Sequence, residues 1–255
     1  MMRKTFILAG FAALVMGVSA PALAASEAVE PPKVDWSSNG IFGTYDRASL
    51  QRGFQVYREV CSACHGMNRL SYRDLAALGY SEGEIKAIAA SYMITDGPNE
   101  EGEMFERAGR PSDRFKNPYP NENAAKSVNN GALPADLSLI AKARKGGPDY
   151  IHAILTGYAE APEGTTLLPG QHWNTYMPGH IIAMPAPLID GQVAYEDGTN
   201  QTVDQYAKDV AHFLEWAAEP KMEVRKQTGL KAFLFLLVFT GVAYAVKRKI
   251  WSSVH

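Results

Sequence analysis

Cysteine is scarce in this chain: its 255 residues hold two, Cys61 and Cys64. A structural zinc site wants four ligands, and there is no second cysteine pair to supply them. A disulfide between Cys61 and Cys64 would close too small a loop to add much stability. No internal repeat is visible, which removes the solenoid architectures, and no strand-rich region points to a sandwich or barrel. Basic charge is also short away from the ends. All 27 acidic residues fall within 26–230, where only 19 of the 25 basic residues lie, so that stretch has a formal charge of −8. Such a surface attracts basic partners and disfavours nucleic acid.

Long apolar runs are confined to the two ends. Residues 1–25 carry Arg3 and Lys4, an apolar run over 6–18, and the small-residue stretch Pro21-Ala22-Leu23-Ala24-Ala25. That order is a cleaved secretory signal peptide, and the run is short for an anchor. Residues 230–246 are almost uninterrupted apolar sequence. As a helix they span about 26 Å, enough for a bilayer core with help from the flanks. Lys231 sits at the margin, where it can snorkel. Lys247, Arg248, Lys249 and Trp251 follow, and a basic cluster of this kind stays on the cytoplasmic side. The expected organisation is an exported domain over 26–225, a carboxy-terminal transmembrane anchor over 226–250 and a cytoplasmic tail over 251–255. The expected location is the inner membrane of a bacterium, with the domain in the periplasm.

The two cysteines stand in Cys61-Ser62-Ala63-Cys64-His65. Two thiols three positions apart with an imidazole directly after the second match the attachment site of a c-type haem. On one helical turn both sulfurs can add to vinyl groups of one porphyrin, and His65 is placed to ligate the iron. A thioredoxin-like site would want a strand before it and an α/β pattern around it, and neither is visible. With both thiols committed, no disulfide braces the domain.

Residues 26–44 read as an extended arm. Asp46 caps a helix on which Leu50, Phe54, Tyr57 and Cys61 share a face, so this helix delivers the haem site at its end. Ser81 and Glu84 make a capping box for a short helix over 85–92. Glycine and proline rule out long regular elements over 96–120, into which Asp96, Glu100, Glu101, Glu103 and Glu106 are packed. These acids form either a solvated loop or a docking surface for a basic protein. Short helices are expected over 122–128, 135–144 and 149–156, then a long loop over 158–196 of the kind that is usually functional. Thr202 and Gln205 form a capping box for a helix carrying Val203, Ala207, Val210 and Leu214 on one stripe, closed by Pro220.

The group on the iron opposite His65 divides electron carriers from oxygen- or peroxide-binding haems. Two methionines in the long loop have similar contexts, Met177-Pro178 and Met184-Pro185, and spacing alone does not choose between them. Ala186-Pro187-Leu188 stiffens the loop after Met184. His172 and His180 are nearby, and a loop histidine is more often polar surface. Met67 is too close to the attachment site to reach the other face.

Beyond these motifs the chain resembles the cytochrome c1 family, the haem-bearing subunits of the cytochrome bc1 complex. The resemblance runs from about Gly53 through the anchor. It is carried by Arg52-Gly53-Phe54-Gln55-Val56-Tyr57, Asp96-Gly97-Pro98-Asn99-Glu100, Asn129-Asn130-Gly131-Ala132-Leu133-Pro134, Thr156-Gly157-Tyr158 and Leu214-Glu215-Trp216-Ala217-Ala218-Glu219-Pro220. It implies Met184 as the sixth iron ligand in preference to Met177. It implies that Arg144 pairs with a haem propionate, where residue type alone reads as a helix-terminal cation. It also implies that Asn129, Pro134 and Tyr150 line the haem pocket. The chain departs from the family in having proline directly after Met184, where many relatives have Met-Ala-Pro-Pro, and in lacking the extra cysteine pair of some bacterial relatives.

The expected fold is mostly α, a class I cytochrome c-like haem domain with inserted loops plus one transmembrane helix. In it the helix ending at the haem motif packs on the 202–218 helix, with haem between them and the Met184 loop. The expected function is one-electron transfer through one covalent haem c, from the Rieske iron–sulfur protein to a soluble basic cytochrome c. Cytochrome b would lie beside the anchor in a dimeric complex, and no bond-breaking residue is needed in this subunit. Two other readings share the motif: a free-standing membrane-anchored shuttle, and a haem enzyme or gas sensor with an open sixth position.

Overall fold

The computed structural model describes residues 29–254. The expected signal peptide at 1–25 lies outside the described residues.

Two helices form the frame. Helix α1 (Arg47–Glu59) starts where the Asp46 carboxylate accepts hydrogen bonds from the Ala48 and Ser49 amides, and it buries Leu50, Gly53, Phe54, Val56 and Tyr57. Helix α6, Val203–Ala218, starts where the Thr202 hydroxyl accepts from the Gln205 amide. The expected return bond from Gln205 is not made, because its side chain donates to Asp209 at 3.0 Å. The helices cross at Gly53. A Cβ there would sit 2.1 Å from the Asp209 carbonyl oxygen and 2.6 Å from the Phe213 Cβ, so only glycine allows this approach. Beside the crossing, Arg52 clasps the buried Asp209 carboxylate through two bonds of 2.9 Å, and Ser49 donates to the same group. The phenylalanines Phe54, Phe115 and Phe213 stack with Tyr57, Tyr72 and Trp216 beneath it.

The smaller elements are laid on this frame. Ser71 opens a 3-10 helix over Tyr72–Leu78 that the sequence pattern does not announce. The Ser81–Glu84 capping box is present in both directions and starts α2 at Glu82–Ala90, so the helix begins and ends earlier than expected. The acidic segment contains an antiparallel hairpin, β1 (Met93–Asp96) with β2 (Phe105–Ala108). Helix α3 covers Glu122–Val128 and α5 covers Pro148–Thr156, as expected within a residue. Helix α4 does not run over 135–144; it is one turn, Ile140–Ala143, for a reason that lies in the haem site. The long loop carries a two-residue hairpin, β3 (His172–Trp173) with β4 (Ile181–Ile182).

Helix α7, Met222–Trp251, is continuous for 30 residues, so the charged segment after Pro220 and the apolar run form one rod of about 45 Å. Its apolar window has a mean hydropathy of 1.9 and no protein cover, long and apolar enough to cross a membrane. The arm before α1 is extended but docked. Trp36 Nε1 and the Val34 amide donate to the buried Asp149 carboxylate in the first turn of α5, at 2.7 and 3.1 Å. Arg47 pairs with Glu223 at 2.7 Å, which fixes the top of α7 to the start of α1.

Candidate haem site

The site begins where α1 stops. After Glu59 the chain tightens into the 3-10 turn Cys61–Ala63, and the amides of Cys64 and His65 both donate to the Cys61 carbonyl, at 3.1 and 2.9 Å. The Tyr57 hydroxyl, one turn back on α1, donates to the His65 carbonyl at 3.2 Å. Cys61 is half-buried, Cys64 is exposed, and no disulfide joins them. Burial first, and Cys64 second, push the Cys61 thiol up to about 12. A redox-active Cys-x-x-Cys needs the opposite, a thiol that ionises readily.

His65 is oriented as a metal ligand would be. Its Nδ1 lies 2.7 Å from the Ala135 carbonyl oxygen. A carbonyl only accepts, so Nδ1 carries the proton and Nε2 presents a lone pair. Burial lowers the imidazole's pKa, which favours the neutral form that ligation requires.

The segment carrying Ala135 explains the shortened α4. The Leu137 amide donates to the Gly66 carbonyl at 2.9 Å, the Asp136 carboxylate accepts from the Asn68 amide at 2.8 Å, and Ser138 accepts from the Arg69 amide at 3.0 Å. The Ala135 carbonyl and the Leu137 amide are spent on His65 and Gly66 and cannot also serve a helix. An open cleft of about 550 Å³ lies along this bracket, between Asn68, Ala135, Asp136, Ile140 and Arg144. The exposed Arg144 guanidinium reaches only the Ala143 carbonyl, at 3.4 Å, and no carboxylate pairs with it among the described residues.

The two loop methionines differ in what their surroundings do. The Met177 sulfur accepts a hydrogen bond from the Tyr150 hydroxyl, at 3.8 Å. Met184 is half-buried, its sulfur has no such donor among the described residues, and its carbonyl accepts from the Tyr158 hydroxyl at 3.0 Å. Burial pushes Tyr158 up to about 12, so it remains a donor. Asn174, fully buried, organises the loop by donating to the Ile154 carbonyl and accepting from the amides of Tyr176 and Met177. His180 is spent within its own loop, bonded to the Thr175 carbonyl and stacked on Trp173. Met67 is fully buried in the core.

Asn129 donates to the Tyr119 hydroxyl and the Ala125 carbonyl, and Pro134 is half-buried next to Ala135. Glu100, Glu101, Glu103 and Glu106 are all exposed. The first three ride the hairpin tip and Glu106 lies on β2, bonded to Thr95. The donor set of two thiols, a neutral imidazole and a thioether, with Nε2 and the Met184 sulfur unbonded among the described residues, fits a covalently attached haem with two axial ligands.

Residues 36–254 match the model of the Cytochrome C1 family. A cytochrome c1 of Rhodospirillum rubrum is 46% identical over 271 aligned residues, which cover 99% of this chain and 97% of that protein. A mitochondrial cytochrome c1 heme protein of Arabidopsis thaliana is 51% identical, with 89% of this chain and 74% of the relative covered. A Bradyrhizobium diazoefficiens protein named Cytochrome b/c1 is 48% identical over 95% of this chain, which spans 39% of that longer relative. This chain belongs to the cytochrome c1 family.

Members of this family are membrane-anchored electron-transfer subunits of the cytochrome bc1 complex, with one covalently bound haem c, and are not enzymes on their own. The mostly helical fold with one apolar carboxy-terminal helix agrees with that. Family motifs lie close to the residues the pattern reading missed. Ala135 and Asp136 directly follow the stretch ending at Pro134, and Tyr158 ends another matched stretch. Nothing about an alanine marks it as a partner for histidine, because the chemistry is in its backbone carbonyl.

Proposed function

We propose that this cytochrome c1 takes one electron at a time from the Rieske protein and passes it to a soluble basic c-type cytochrome, at the periplasmic face of a bacterial inner membrane. Cys61 and Cys64 carry the thioether bonds, and His65 and Met184 are the axial ligands. Bound there, the haem supplies a one-electron iron couple whose potential a thioether ligand raises. The carrying observation is the His65–Ala135 hydrogen bond, which fixes the tautomer and leaves Nε2 as the outward ligand. Support for Met184 comes from the sulfur of its rival, which is engaged by Tyr150.

The remaining residues hold and shield. Arg144, with no carboxylate partner among the described residues, neutralises a propionate. Asn129, Pro134 and Tyr150 wall the pocket and exclude water. Glu100, Glu101, Glu103 and Glu106 steer the basic acceptor. Cytochrome b lies beside α7 in a dimeric complex, a reading helped by the relative named Cytochrome b/c1. The basic cluster after the span, with Lys247 over the Trp251 ring at 5.4 Å, faces the cytoplasm.

Replacement of the methionines tests the ligand set. Met184→Leu in the purified complex lowers the midpoint potential and lets carbon monoxide bind the reduced haem, while Met177→Leu does neither. The reverse pattern, or no response from either, overturns the assignment.

A further inference from the structure

We propose that the turn at 39–43 is a second membrane contact, with Ile41 and Phe42 seated among the lipid headgroups and upper acyl chains beside α7. This rests on α7 being the membrane span. Among the described residues no large hydrophobic is more exposed than Phe42, at 80%, with Ile41 at 69%. Both exceed the phenylalanines of the span itself, of which Phe235 is the most exposed at 66%. Scattered single hydrophobics on a surface mean little, but an adjacent pair on a rigid tip is a different case.

The tip is rigid because the turn closes on itself. The Thr44 amide donates to the Ser37 carbonyl at 2.9 Å, and Gly40 takes a positive φ of 71°. Gly43 lies so close to the chain before it that a Cβ would sit 2.0 Å from the Asn39 carbonyl oxygen. The pair therefore cannot fold back into cover without breaking the turn.

The base of the tip is tied to the membrane helix. Tyr45 is bonded across the junction of α6 and α7, its amide to the Glu223 carboxylate at 2.8 Å and its hydroxyl to the Glu219 carbonyl at 3.1 Å. Two residues earlier, the Gly43 carbonyl accepts from Lys226, which also holds the Ser38 carbonyl. Lys226 thus ties both ends of the turn, at Ser38 and Gly43, to the first part of α7. The apolar run begins at Leu230, about 6 Å along the helix axis from Lys226. Residues 36–45 carry no charge that would resist entry into lipid. The occupant is thus the bilayer already holding α7, whose apolar run starts one turn beyond the lysine that ties down the base of the tip. A wedge of this kind, tied to α7 through Lys226, would set the tilt and height of the haem domain over the membrane.

Spin labelling tests this. Phe42→Cys in the full chain, carried by its purified complex in phosphatidylcholine vesicles, is labelled and relaxed by oxygen, which concentrates in hydrocarbon, or by a water-soluble nickel chelate. Leu234→Cys in the span and Glu163→Cys on an exposed loop provide the references. The expected oxygen-to-nickel accessibility ratio at position 42 is shifted away from that at Glu163 toward that at Leu234. A ratio equal to that at Glu163 overturns the proposal, and so does exclusion of both relaxers, which would mean a protein neighbour covers the tip. Ile41→Cys repeats the measurement should the first variant fail to assemble. A water-like ratio at Leu234 would fault the span itself, and label taken up by the parent chain would report free haem cysteines, so each failure is distinguishable.

Discussion

Replacing Gly53 by alanine strikes the contact on which the haem site is mounted. The new Cβ would lie 2.1 Å from the Asp209 carbonyl oxygen, where ordinary contact begins near 3.4 Å, so α1 and α6 must separate by about 1.3 Å. A backbone oxygen cannot rotate away as a side chain can, so the cost falls at the upper end for overpacking, about 3 kcal/mol. For a domain of this size that lowers the apparent melting temperature by roughly 6–12 °C. Alanine's better helix propensity offsets about 1 kcal/mol of this at most. Gly83→Ala is the matched control. It adds the same methyl on α2 with nothing within 4 Å, so it should be neutral or stabilise by up to about 1 kcal/mol. Thermal unfolding followed by helix signal and by haem absorbance checks both. Because α1 carries Cys61 at its end, the absorbance should be lost at the same lowered temperature as the helix. A Gly53→Ala protein that melts with the parent would refute the close crossing.

The acidic hairpin yields two further expectations. Arg107 hydrogen-bonds Asp113 and so holds that carboxyl at about 2, below its ordinary 3.8; Arg107 also pairs with Asp96. A depressed carboxylate favours the folded hairpin above the ordinary value and loses that contribution as protons bind, so the protection of amides over 93–108, taken against the unstructured exchange rate at each pH, should fall between about pH 4 and about 2. Unchanged protection across that window would show that the ion pair does not brace the hairpin. Charge reversal at Glu100, Glu101 and Glu103 should slow association with a basic cytochrome and flatten its dependence on salt, while the haem spectrum stays the same. An unaltered rate at low ionic strength would return these residues to solvated surface.

The elements legible in the sequence were those whose signals are local. Asp46 and Thr202 cap α1 and α6 as their positions require, and the apolar stripes of those helices are buried. The apolar run at 230–246 and the Cys61–His65 motif needed no tertiary knowledge. What escaped was decided by partners distant in sequence. Residues 135–138 have helical composition, yet the Ala135 carbonyl and the Leu137 amide answer His65 and Gly66 from some seventy positions away, and the Asp136 carboxylate answers Asn68. The hairpin at 93–108 has no fully buried face, so it lacks the alternation by which a strand is recognised. The choice between Met177 and Met184 turned on a resemblance, because the Tyr150 hydroxyl that engages Met177 can be seen only in the folded chain.

The most direct measurement is peptide mapping of the protein after acidified-acetone extraction. Thioether attachment predicts that all haem colour stays with the polypeptide, and that the tryptic peptide carrying Cys61, Cys64 and His65 is heavier by one haem. Colour released into the acetone, or that peptide recovered with two free thiols, would contradict the account.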